Sequence, residues 1–187
     1  MPYLSVLMSE EIVRGPRIGV PGGAQAVRPN TRLETPLSPE EKAYYAGIIG
    51  EPQAPPPRED NKPVALVVDD EPRLRSIARE ALEGIGLKVF EARDGVEALT
   101  QYASRTTDLL LLELSLPSMD GYKLVRAVRS YCGNMKAAIC CVGTSADPRD
   151  EIAALNLGAD DFLAKPFTVD RIRAHVRSVF RARKFGL

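Results

Sequence analysis

The pattern of apolar and polar positions changes character near residue 62 of the 187-residue chain. From Pro63 onward, short apolar runs alternate with stretches in which apolar residues recur every three or four positions. "VALVV", "KVFEA", "DLLLLEL", "AAICCV" and "DFLA" read as strands, and runs this continuously apolar suit strands covered on both faces. The intervening stretches read as helices. "RLRSIAREALEGIG" sets Leu74, Ile77, Ala81 and Leu82 on one face and ends in glycine, "DGVEALTQYA" predicts a short helix, and "DGYKLVRAVRSY" carries Leu124, Val125 and Val128. "DPRDEIAALNLG" opens with Asp147 as cap and Pro148 at the first helical position, and "TVDRIRAHVRSVFRARK" repeats Val169, Ile172, Val176 and Val179 at helical spacing. Strands and helices in strict alternation predict an α/β fold: a doubly wound, five-stranded parallel sheet with helices on both faces and right-handed crossovers.

Before residue 62 little of this periodicity survives, and ten of the 15 prolines fall there. Residues 1–62 read as an extended, Pro-rich segment with one regular piece. In "SPEEKAYYAGIIG", Ser38 can cap, Pro39 suits the first turn, Glu41 completes a capping box and Gly50 stops the helix, which predicts a helix over about 39–49. The "EPQAPPPRED" that follows favours polyproline II and a semi-rigid spacer. The domain division is therefore 1–62 and 63–187, with the short helix free to lie on the domain or on a partner.

Charge narrows the function classes. Lys plus Arg and Asp plus Glu are 25 each, so bulk attraction to nucleic acid or anionic lipid is not expected. Cys132, Cys140 and Cys141 lack Cys-x-x-Cys spacing and read as reduced core thiols. "MPYLSVLMSEEIV" has neither the basic start nor the apolar length of a signal peptide, and no run reaches membrane-spanning length, so a cytoplasmic location is expected.

In open parallel sheets, ligands bind beyond the carboxyl ends of the strands. Asp69 and Asp70 follow the first strand, Glu113 closes the third and Lys165 follows the fifth. Carboxylates gathered there repel one another unless a cation sits among them, and either Lys165 or Mg²⁺ could be that cation. "VVDDE", "SLPSMDG" and "GADDFLAKPF", in this order across the alternation, resemble the receiver domain of two-component response regulators over about residues 63–184. The resemblance implies a flavodoxin-like strand order 2-1-3-4-5. It further implies Mg²⁺ held at Asp69 and Asp70, a phosphoryl acceptor closing the third strand, a hydroxyl residue after the fourth, Lys165 beside the phosphoryl group, and Phe162 as an aromatic switch.

Two positions depart from that pattern. The acceptor position holds Glu113 where the family has aspartate, and the hydroxyl position holds Gly143, with Thr144 one residue on. The extra methylene moves the carboxylate by about 1.5 Å, and misplacement of about 1 Å can cost on the order of 10²-fold in a positioned reaction. Transfer to Glu113 should therefore be poor, and its charge, carried toward Lys165, should imitate the phosphorylated form with weak need for Mg²⁺. The expectation is a stand-alone atypical receiver, not an enzyme, that binds a protein partner without phosphorylation. Its partner surface would be the face of the fourth helix, fifth strand and last helix, with Arg173 and Arg177 on the rim. Two alternatives stand beside it: a phosphorelay receiver still served by a histidine kinase and Mg²⁺, and a nucleic-acid binder using the basic last helix, within a chain that shows no helix-turn-helix pattern after it. Oligomeric state is open.

Overall fold

The structure, a computed structural model, describes residues 36–57, 61–132, 136–144 and 148–183. The Asp147 cap and Lys184 lie outside them. Five strands, β1 (Val64–Val68), β2 (Lys88–Ala92), β3 (Leu109–Glu113), β4 (Ala138–Thr144) and β5 (Asp161–Lys165), form one parallel sheet in the order β2-β1-β3-β4-β5. Every residue of β1 and β3 is buried, the consequence of helices on both faces. On one face lie α2 (Pro72–Glu83) and α6 (Val169–Ala182), whose Ala81, Leu82, Ile172, Val176 and Phe180 meet Ala65, Leu109, Leu111 and Cys140. On the other lie α3 (Gly95–Ala103), α4 (Gly121–Arg126) and α5 (Pro148–Asn156), which cover Leu66, Leu110, Leu112 and Cys141. Each fully buried leucine of this kind contributes about 1.5–3 kcal/mol by leaving water.

The helix starts obey the capping chemistry of their sequences. Asp94 accepts from Glu97 N at 2.8 Å, Asp120 from Lys123 N at 2.8 Å and Thr168 from Arg171 N at 3.3 Å. Downstream of α4 the helix does not simply continue: Ala127–Tyr131 is a π-helical segment. The widened turn places Arg129, 3% exposed, inside the domain, where it donates to Gly158 O at 2.9 Å and Ala137 O at 2.7 Å and pairs with Asp160 at 3.0 Å.

The N-terminal helix, α1 (Pro39–Ile49), lies on the domain. Its capping box is complete, with Ser38 N donating to Glu41 at 2.8 Å and Glu41 N to Ser38 at 3.2 Å. Tyr45 is 1% exposed, donates to Lys123 O at 3.1 Å, and with Leu37 belongs to the same core as Leu124 and Val128. Arg126 donates to Glu41 at 2.6 Å and Tyr131 to Gly50 O at 2.9 Å, so α4 and the π segment, together with α3, form the seat of α1. Beyond it the chain runs along the domain to Pro56, whose carbonyl accepts from Thr106 at 2.9 Å.

Candidate functional site at the carboxyl ends of the strands

β1 delivers Asp69 to the sheet edge with 4% exposure. Its Oδ1 accepts from Glu71 N at 2.8 Å, which turns the carboxylate over the edge, and Arg75 donates to its backbone carbonyl at 2.7 Å. β3 delivers Glu113, 5% exposed, with Oε1 accepting from Ser115 N at 2.9 Å. The "SLPSMDG" turn then folds back beneath the strand. Gly121 donates to Leu114 O at 2.9 Å, and a Cβ at Gly121 would stand 2.6 Å from the Glu113 carbonyl, so only glycine permits that approach.

β5 ends on Lys165, and its ammonium joins the two acids. Nζ lies 2.5 Å from Glu113 Oε2 and 3.1 Å from Asp69 Oδ2. β4 separates β3 from β5, so their backbones are two strand spacings apart, about 9.6 Å. Two long side chains close that gap, and the extra methylene of a glutamate serves the contact. Burial alone would lower the Lys165 pKa; the hydrogen bond and charge of Glu113, followed by those of Asp69, outweigh it and leave it raised.

The other residues singled out in the sequence are placed differently. Asp70 is exposed, so two carboxylates converge here and not three. Three of the four oxygens of Asp69 and Glu113 accept hydrogen bonds, from Lys165, Glu71 N and Ser115 N, and Glu113 Oε2 lies against the Lys165 ammonium as an ion pair. Among the described residues no group of three His, Cys, Asp or Glu side chains gathers closely enough to hold a metal ion. The ammonium sits where the two carboxylates meet and takes up one of their two charges. Gly143 and Thr144 belong to β4, paired with Ala164 and Lys165, and Thr144 is exposed. Phe162 is half-buried against the core.

The last helix differs most from expectation. Arg173 is not on the rim beside α5: it donates to Ala81 O at 3.2 Å and lies against Gly84, tying α6 to α2. Arg177, four residues on and therefore on the same side of the helix, is exposed. His175 has Nδ1 2.6 Å from Asp161 Oδ2, so the edge of α6 nearest β5 carries His175 and Ser178 around a cavity of about 400 Å³. The cysteines are free; burial raises the Cys132 pKa to about 11. Tyr122 was not foreseen. Its hydroxyl donates to Asp150 at 2.9 Å, bridging the starts of α4 and α5; the signal available was a tyrosine in an apolar helical stripe, whose hydroxyl needs a partner.

The fold and the strand-end pocket define a flavodoxin-like signalling architecture in which two acids and a lysine meet at the C-terminal edge. A sequence model of the response regulator receiver domain matches residues 65–177, and the chain belongs to that family, a family of two-component signalling domains. The KDP operon transcriptional regulatory protein KdpE of Escherichia coli (strain K12) is 38% identical over 116 residues, which are 62% of this chain and 50% of that protein. A putative response regulator from Chloroflexus aurantiacus superposes with a TM-score of 0.61 at 30% identity, covering 65% of this chain and 99% of that one. The chemotaxis response regulator CheY4 of Vibrio cholerae superposes with a TM-score of 0.60 at 27% identity, covering 64% and 99%. The chain spans about half the length of the curated relatives it matches. No helix among the described residues is long and apolar enough to cross a membrane.

Proposed function

We propose that this receiver works as a phosphorylation-independent protein-interaction module, with Glu113 at the acceptor position acting as a built-in negative charge. The observation that carries the reading is the contact of Lys165 Nζ with Glu113 at 2.5 Å and Asp69 at 3.1 Å. A phosphorylated acceptor would present its charge to the lysine in the same region, and here the longer carboxylate does so permanently. It offers less charge and fewer acceptor oxygens than a phosphoryl group, so the imitation is partial. The ammonium balances one of the two carboxylate charges and so lowers the need for a divalent cation.

The partner is a protein that meets the face of α5, β5 and the adjoining edge of α6. Ile152 and Leu155 are exposed there, 49% and 42%, and supply the apolar part. A surface set in advance binds without first shifting a population. The retained Asp69 and Lys165 favour a second reading, a receiver still served by a histidine kinase. A nucleic-acid reading through α6 loses support, since Arg173 is held by Ala81 O, Arg183 by Asp160 and Arg171 by Pro166 O.

The test is amide exchange over Pro148–Asn156 and Asp161–Lys165 in the full chain, with and without acetyl phosphate and Mg²⁺, for the unaltered protein and Glu113→Gln. The reading expects no response to acetyl phosphate in the unaltered protein and faster exchange in Glu113→Gln. A clear response of the unaltered protein to acetyl phosphate supports the kinase reading and contradicts this one.

A further inference from the structure

In Ala127–Tyr131 the helix widens, and Cys132 N donates to Ala127 O, five residues back, at 2.8 Å. Two residues of this segment reach different parts of the molecule. Arg129 turns into the domain, where it holds Gly158 O, Ala137 O and Asp160. Asp160 in turn accepts from Ile139 N at 2.8 Å and from Arg183 Nε at 2.8 Å, so it joins the π segment to the start of β4 and to the end of α6. Tyr131 turns to α1. Its hydroxyl donates to Gly50 O at the cap of that helix, and its ring centre lies 5.5 Å from that of Tyr45. Tyr45 also closes the near end of the segment, because its hydroxyl donates to Lys123 O in the last turn before the helix widens.

We propose that α1 and the π segment form one two-position device. With α1 on its seat, Ala127–Tyr131 is held in the wide turn. With α1 off its seat, the segment winds as ordinary α-helix, draws Arg129 out of the Asp160 network and loosens the end of α6. The physical reason is register. A wide turn holds one residue more than an α turn, so rewinding it advances Tyr131 by one residue's rotation, about 100°. Tyr131 then no longer meets Gly50 and Tyr45, and Arg129, partway along, turns away from Gly158 and Ala137. The wide turn persists because contacts on both sides require it, α1 on one and Asp160 on the other. An arginine 3% exposed keeps its partners or leaves, so the change is all-or-none. Each set of contacts supports the other, and the coupling is therefore reciprocal. Neither Glu113 nor Lys165 takes part, so the device operates whether or not the pocket is charged in advance. Residues 36–50 thereby become a control element for the end of α6.

The test uses the full chain and two NMR readouts. One is the scalar coupling across the hydrogen bond of Cys132 N, which identifies the accepting carbonyl; the other is amide exchange in α1 and at residues 129–132 and 179–183. Tyr45→Ala removes the anchor of α1. Glu41→Gln keeps a capping residue while removing the charge that Arg126 pairs with, so the milder variant serves if the larger one fails to fold. In the unaltered chain Cys132 N should couple to the Ala127 carbonyl. As α1 exchange rises several-fold in the variants, the coupling should pass to the Val128 carbonyl, and exchange at residues 179–183 should rise with it. Asp160→Asn should act in the reverse direction and speed α1 exchange several-fold. Faster α1 exchange with Cys132 still coupled to Ala127 overturns the device, and so does an Asp160→Asn variant whose α1 exchanges at the native rate.

Discussion

Glutamate and aspartate at position 113 differ by one methylene, and the geometry shows what that methylene does. It carries the carboxylate to 2.5 Å from an ammonium rooted two strands away. Removing that ammonium would leave Asp69 and Glu113 buried and facing each other. Lys165→Ala should therefore cost about 2–4 kcal/mol by urea unfolding, the range for breaking a buried pair reduced because the lysine side chain is 21% exposed. The same variant should gain Tm on addition of Mg²⁺ while the unaltered protein does not, since a dication can replace the missing charge. A loss under 0.5 kcal/mol would mean that the contact adds nothing to folding. Alkaline pH probes the same residue. The folded-state pKa of Lys165 is raised, as are those of Tyr45 and Tyr122, so the folded chain retains protons that the unfolded chain has released. Stability from these groups is full below about pH 10, where the unfolded residues begin to titrate, and falls as pH rises further. The buried cysteines, whose pKa values burial also raises, act the same way from about pH 8.5, where unfolded thiols titrate, so midpoints of urea unfolding should be level near pH 7 and decline from there to pH 11.

Among the elements, the strands were legible because a run such as Leu109–Leu112, apolar on both faces, fits little else of that length. Helix starts were legible because Ser38, Asp94, Asp120 and Thr168 act on their own next turn. What was not legible depends on distant partners. The π segment Ala127–Tyr131 has no local signature; it is fixed by Arg129 reaching Gly158 and Asp160, about thirty residues away. β4 continues through Gly143 and Thr144, which read as loop, because Ala164 and Lys165 pair with them. In the site, Asp69, Glu113 and Lys165 were legible from their places at strand ends, whereas the exposure of Asp70 and the docking of Arg173 on α2 follow from packing alone. For α1 the helix was legible and its seat was not. Its burial of Tyr45 predicts that Tyr45→Ala in the full chain costs about 3–5 kcal/mol, as large-to-small core changes of aromatic residues do. A change within about 0.5 kcal/mol, the range typical of surface sites, would show that α1 only rests on the domain.

At the scale of the molecule, the receiver fold supplies a pocket at one end of the sheet and a surface along α5, β5 and the edge of α6 within reach of it. Residues 36–57 cover the opposite flank of the helical layer, over α3, α4 and the π segment, and leave that surface open. We therefore treat α1 as part of the folded unit, so that the domain boundary at residue 62 divides the chain by composition more than by packing. On the proposed reading the pocket is charged in advance and does not depend on phosphoryl transfer. Intact-mass measurement after incubation of the full chain with acetyl phosphate and Mg²⁺ tests it most directly. The mass should stay unchanged, with Glu113→Asp gaining one phosphoryl group, at least slowly; a stoichiometric gain of one phosphoryl group on the unaltered protein would contradict the claim.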